Sequence, residues 1–205
     1  MKDNTISASA RLPRMDIALR KPMTREEFFT WAEAQDGRYE FDGFRPVAMP
    51  GGTNNYGAIV GNILVQLRNR LRGSSCTVMG SSGGGIETAG GKIRYPQGTI
   101  TCTPVPGHSR ILPNPVVIFE VLSPSPRHPD TDLKLDEYRA LPTMQRYILI
   151  EEIEILVTVH ARQEDGSWAT SELREEAILD LPEVGISIPL EEIYDEIVFD
   201  DTPGQ

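Results

Sequence analysis

Pro115-Val116-Val117-Ile118-Phe119-Glu120-Val121-Leu122-Ser123 is the stretch on which the fold turns. Its six large apolar residues run together instead of alternating, the pattern of a strand buried on both faces. Glu120 interrupts that run. An ion removed from water costs several kcal/mol unless it is paired or metal-bound. Two readings follow. Glu120 is either a carboxylate partnered by an Arg or turned to water at a strand end, or a site carboxylate at the carboxyl end of a central strand, where open α/β sheets place their ligands.

Working outward, the loop 104–114 holds three prolines and joins this strand to an alternating one, Gly98 to Thr103, which Arg94-Tyr95-Pro96-Gln97 precedes. After Ser123-Pro124-Ser125-Pro126 the pattern predicts a helix over 131–141. Lys134, Tyr138 and Leu141 recur on one side of it at i, i+4 and i+7. Arg146 to Ile150 reads as a further strand. Strands near 154–161 and 167–172 pair around Glu164-Asp165-Gly166, and a short strand at 184–188 precedes a helix started by Pro189.

Toward the N-terminus, Thr24-Arg25-Glu26-Glu27 is a capping box that opens a short helix ending near Gly37. Arg38 to Met49 reads as a hairpin turning at Asp42-Gly43. From Tyr56 to Leu71 apolar residues fall at helical spacing, with Arg68, Arg70 and Arg72 in the last turns and Gly73 as a stop. Those cations suit the helix dipole whether or not they bind anything. Cys76 to Met79 is a strand. Ser81 to Gly91 is Gly-rich but lacks the strand–helix context and the Lys-Ser/Thr ending of a phosphate loop. Residues 1–22 carry five bases and two acids without a helical or strand period and read as a flexible arm. Residues 23–200 read as a single domain.

The chain has 205 residues, 39% apolar and 24% charged, which is enough for one core. No apolar run approaches the ~20 residues needed to span a bilayer, and the first residues lack a signal-peptide core, so a cytoplasmic protein with no membrane partner is expected. Cys76 and Cys102 give no disulfide framework or metal cluster, and Cys102 reads as a small core residue. The net charge of −10 argues at first against a polyanionic partner. Its distribution alters that: residues 172–201 hold eleven acids against Arg174 alone, and the rest of the chain sums to zero. That acidic segment is expected to form an outer edge away from nucleic acid, with Val184, Ile186, Ile188, Ile193 and Ile197 turned inward.

A carboxylate at a strand end followed by a Lys on the next helix suggests metal-assisted phosphodiester hydrolysis. Carboxylates hold Mg²⁺, the ion activates a water, and the Lys steadies charge on the phosphate. Glu120, Lys134 and position 97 are expected to share one cleft at the carboxyl ends of two adjacent strands.

From about Met23 to Phe199 the order of short blocks is similar to a known family. The blocks are Met23-Thr24 with Glu26-Glu27-Phe28, Arg38-Tyr39-Glu40 with Asp42-Gly43, Ile59-Val60-Gly61-Asn62, Tyr95-Pro96, Asn114-Pro115, Glu120-Val121-Leu122-Ser123-Pro124-Ser125, Asp130 with Lys134 and Tyr138, and Leu141 to Tyr147. They resemble the Uma-two-type proteins, a bacterial branch of the PD-(D/E)XK restriction endonuclease-like superfamily. The resemblance implies an α/β (α+β) fold with a mixed central sheet flanked by helices and a Mg²⁺-dependent endonuclease acting on DNA. The catalytic set it implies is Glu120, Lys134, Glu40 and Gln97, with Glu120 and Gln97 at the metal and Asp130, Tyr138 and Tyr56 in support. The superfamily Lys has moved from the strand position, here Leu122, to Lys134. Where the family's metal-binding Asp follows Tyr/Val-Pro, this chain has Gln97; where a His often precedes Ile-Val-Gly-Asn, it has Tyr56; and Gly85 stands about where an Arg is common. Loss of a charged ligand implies weak Mg²⁺ binding and impaired cleavage. The alternative is a non-catalytic relative acting as a DNA-binding or protein-interaction module. A homodimer is expected by analogy with nucleases that cut both strands.

Overall fold

The computed structural model describes residues 22–49, 51–123 and 129–199, with the side chains of 129–131 outside the description. The expected arm, save Pro22, and the side chain of Asp130 therefore lie outside the described residues.

The chain builds a six-stranded mixed sheet in the order β10-β9-β8-β7-β6-β3, made of β3 (Thr77–Gly80), β6 (Gly98–Thr101), β7 (Pro115–Leu122), β8 (Arg146–Glu151), β9 (Leu156–Arg162) and β10 (Trp168–Arg174). β7 and β8 run parallel, and the other pairs run antiparallel. The parallel pair needs a crossover, supplied by α3 (Pro129–Arg139). β7 is central and buried on both faces, as its unbroken apolar run requires. Val117, Phe119 and Val121 join Ile148 and Ile150 of β8 under α2 (Asn54–Arg70), whose buried Ile59, Ile63 and Leu67 recur at helical spacing. Ile118 joins Tyr147 and Leu149 in a second core beneath Tyr138 of α3. The period of two puts Glu120 on this second face.

A second sheet, ordered β2-β1-β5-β4, holds β1 (Tyr39–Phe41), β2 (Pro46–Ala48), β4 (Ile86–Thr88) and β5 (Lys92–Arg94). α1 (Arg25–Ala32) packs Phe28 against Phe41, with ring centroids 5.0 Å apart, and its capping box is present in full. Asp42 holds the β1–β2 turn by accepting from the amides of Phe44 and Arg45, and Gly43 supplies the φ of +90°. The Gly-rich stretch 81–91 is built into a hairpin. It contains β4, which pairs with β5 through Gly90 and Gly91, both at positive φ. A Cβ at position 85 would lie 2.5 Å from Ile93 Cγ2, so an Arg there would require Ile93 or the backbone to move.

β11 (Ile178–Leu181) and β12 (Ile186–Pro189) form a two-stranded sheet that leads into α4 (Leu190–Ile193). Ile188 and Ile193 are buried against the α2 core, with Val184, Ile186 and Ile197 packed beside them. Residues 172–174 belong to edge strand β10 of the central sheet, while β11, β12 and α4 pack against the α2 core, on the side of that sheet opposite the Glu120 side chain.

The reading of the two cysteines is overturned. Cys76 and Cys102 are joined in a disulfide. The register Thr77↔Thr101 between β3 and β6 carries the residues just beyond the pair opposite one another, a juxtaposition invisible at a separation of 26 residues.

Candidate active site

Glu120 sits sixth in the eight-residue β7, near the carboxyl ends of the parallel pair. Lys134 and Tyr138 lie one turn apart on α3 and reach the same oxygen. Lys134 Nζ donates to Glu120 Oε1 at 3.3 Å, and the Tyr138 hydroxyl donates to it at 3.3 Å. Tyr138 is held edge-on against Tyr147, with centroids 5.1 Å apart. Lys134 Nζ also donates to Glu40 Oε1 at 3.1 Å, so one ammonium bridges two carboxylates.

Glu40 comes from β1 in the second sheet, and its other partners come from the end of β5. Arg94 Nη1 donates to Glu40 Oε2 at 3.0 Å, and the Tyr95 amide to Glu40 Oε1 at 3.2 Å. Arg94 further donates to both oxygens of Glu137, at 2.8 and 2.9 Å, and Lys92 Nζ to Glu137 Oε1 at 2.6 Å. Three carboxylates, Glu40, Glu120 and Glu137, thereby interlock with three cations, Lys92, Arg94 and Lys134. Arg94, Glu40 and Glu137 are all buried, and the mutual bonds offset the desolvation that each would suffer alone.

Gln97 belongs to the same cluster, but it does not lie at a strand's carboxyl end as expected. β6 runs antiparallel to β7, so Gln97, one residue before β6, stands at an amino end beside Phe119–Val121. Its Oε1 accepts from the Val121 amide at 3.0 Å. Tyr56 lies in the first turn of α2, close enough to Glu120, Lys134 and Gln97 for each to act on its hydroxyl. The backbone of Asp130 lies in the first turn of α3.

The charges carry characteristic shifts. Burial pushes the Glu120 carboxyl up; Lys134 opposes this, and the nearby charge of Glu40 adds to it. For Glu137 burial also pushes upward, but hydrogen bonds from Arg94 and Lys92 outweigh it and hold the group below its ordinary value. Burial lifts the Tyr56 hydroxyl to about 12, with Glu120 adding and Lys134, Arg38 and Gln97 opposing. Tyr138 is raised far more strongly by burial beside Glu120.

Among the described residues no group of three His, Cys, Asp or Glu side chains is arranged to hold a metal. Glu120 Oε2 has no hydrogen bond from a described residue, whereas the Gln97 oxygen already serves Val121. Mg²⁺ is commonly held through one or two carboxylates and several waters. Glu120 Oε2 is thus the carboxylate oxygen that an ion of that kind could take here, with Gln97 a neutral and occupied neighbour.

Sequence reasoning missed Lys92, Arg94 and Glu137. Lys92 and Arg94 flank Ile93 in strand alternation, and Glu137 stands three residues from Lys134 on the helix face already singled out. Those spacings were the available signal.

A protein of Synechocystis sp., itself uncharacterized, is 27% identical over 179 residues, which cover 86% of this chain and 94% of that protein. The crystal structure of a putative nuclease belonging to DUF820 from Anabaena variabilis superposes with a TM-score of 0.69 at 15% identity, over 86% of this chain and all of that one, which establishes a shared fold. No described helix is long and apolar enough to cross a membrane. The Uma2 family model, described as "Putative restriction endonuclease", matches residues 25–191, and the chain belongs to that family.

Proposed function

We propose that the protein is a Mg²⁺-assisted endonuclease that hydrolyses DNA phosphodiester bonds with an attenuated metal site. The observation that carries this is the bridging of Glu40 and Glu120 by Lys134, beside Gln97, at one end of β7. Glu120 would hold the ion, with Gln97 as a neutral neighbour; when bound, Mg²⁺ lowers the pKa of a water and stabilises charge on the phosphate. Glu40 accepts three hydrogen bonds, from Lys134, Arg94 and the Tyr95 amide. It is thus a group that aims Lys134 and not one that takes a proton. Lys134, only partly buried, presents its ammonium to a phosphate oxygen. Tyr138 fixes the Glu120 carboxylate by donating to it. DNA as substrate and a homodimeric state follow the superfamily analogy.

A second reading, binding without cleavage, is favoured by the Val121–Gln97 hydrogen bond and by the pairing of Glu40 and Glu120 with Lys134 and of Glu40 with Arg94. Plasmid nicking separates the two. The endonuclease reading expects slow Mg²⁺- or Mn²⁺-dependent nicking that Gln97→Asp increases and Lys134→Ala removes. A Gln97→Asp variant that binds Mg²⁺ and leaves the plasmid uncut supports binding alone.

A further inference from the structure

Two adjoining cavities run along edge strand β3. The larger, about 770 Å³, is lined by Phe29, Tyr95, Arg68 and Arg110 together with the backbone of Gly83 and Gly84. The smaller, about 570 Å³, continues from it and shares Arg68 and Thr77, adding Arg72, Ser74 and Ser75. Tyr95 links the larger cavity to the site: its side chain lines the wall while its amide donates to Glu40. Arg38, which acts on Tyr56, lies over the Tyr95 ring at 5.9 Å and donates to Ser81.

The walls are cationic although the chain is acidic. Glu33 is the one acid among the lining residues of either cavity, and it is paired with Arg110. Arg110 lies over the Phe29 ring at 5.5 Å. Its backbone is pinned, because the Gly85 amide donates to the Arg110 carbonyl at 2.8 Å and the Leu112 amide to the Gly85 carbonyl at 2.9 Å. Aromatic rings and guanidinium planes offer surfaces on which unpaired bases stack, while Arg and Ser groups follow phosphates. A duplex keeps its base faces occupied in its own stack and cannot use these rings without flipping a base out.

We propose that the two cavities form a channel for single-stranded DNA leading to the phosphodiester site, so that the substrate is a strand with unpaired nucleotides. This rests on the nucleic-acid reading of the site. The test is fluorescence anisotropy of the full chain with a short labelled oligothymidine and with a duplex of equal length, both in EDTA. The channel expects the single strand to bind at least about ten-fold tighter than the duplex, and Arg68→Glu and Arg110→Glu each to weaken it by at least about ten-fold. Both substitutions fall on exposed side chains, and melting curves establish that each variant is folded. Arg174→Glu, in the acidic segment, leaves binding unchanged. Equal or tighter duplex binding, or indifference to both charge reversals in folded protein, overturns the channel. So does displacement of the oligothymidine by polyglutamate at equal charge, which would mark an unspecific field. Because binding is read without metal and cleavage separately, failed cleavage with retained single-strand binding removes only the hydrolase reading. Retained cleavage with preferred duplex binding removes only the channel.

Discussion

The side-chain oxygen of Gln97 lies 3.0 Å from the backbone amide of Val121, one residue beyond Glu120. An amide of the strand that carries Glu120 is therefore satisfied by a side chain of the neighbouring chain segment. Gln97 thus has a role in holding β7 that does not depend on any ion.

Gln97→Asp is expected to lower stability without metal and raise Mg²⁺ affinity. The shorter side chain leaves the Val121 amide less well bonded and adds a carboxylate near Glu120 and Glu40. The loss should be on the order of 1–3 kcal/mol. Urea denaturation in EDTA at neutral pH and calorimetric Mg²⁺ titration of both forms read the two effects. Unchanged stability together with unchanged affinity would falsify this account of position 97.

Arg94→Ala should cost about 3–5 kcal/mol, because it strips the main cation from two buried carboxylates, Glu40 and Glu137. Arg94→Lys should recover only part of this, since an ammonium cannot reproduce the fork that reaches both acids. Chemical denaturation of the two variants gives the comparison. Equal stability of both with the wild type would mean that the network is not formed.

Stability should depend on pH with opposite signs on the two sides of the ordinary carboxylate value of 4.5. The Glu120 carboxyl is raised in the folded state, so the folded chain holds more protons than the unfolded one just above 4.5. Its contribution then falls as pH rises through the folded value. Glu137 is depressed, so its contribution is present above 4.5 and is lost as pH falls through its folded value. Glu120→Gln should flatten the loss on the upper side, and Glu137→Gln the loss on the acid side. Denaturation midpoints across pH read each, and identical pH profiles for Glu120→Gln and the wild type would contradict the burial of that charge.

Reduction of the Cys76–Cys102 disulfide, which closes a segment with a sequence separation of 26, should lower stability by about 3 kcal/mol through release of unfolded-state entropy. Thiol titration in denaturant, before and after reduction, establishes the pairing. Melting with and without reductant measures its worth, and two free thiols in the unreduced protein would refute the bond.

Much of the central layer, and the likeness to the family, is legible in one dimension. An apolar run long enough for a strand buried on both faces, a crossover helix after it, and helical spacing from Ile59 to Leu67 are local patterns, and local patterns survive in one dimension. Glu120, Lys134, Tyr138 and Glu40 were legible because short blocks of residues carry them. The β4–β5 hairpin was hidden by its glycines, whose positive φ closes a turn that polar composition alone does not reveal. The clasp of Arg94 on Glu40 and Glu137 joins residues 54 and 43 positions apart, and no local rule couples them. The end of the strand at which Gln97 stands depended on β6 running antiparallel to β7, and the disulfide depended on the register of β3 against β6. Direction and register are set when whole strands pack, because a shift by one residue turns every side chain to the other face. Only the tertiary structure could decide them.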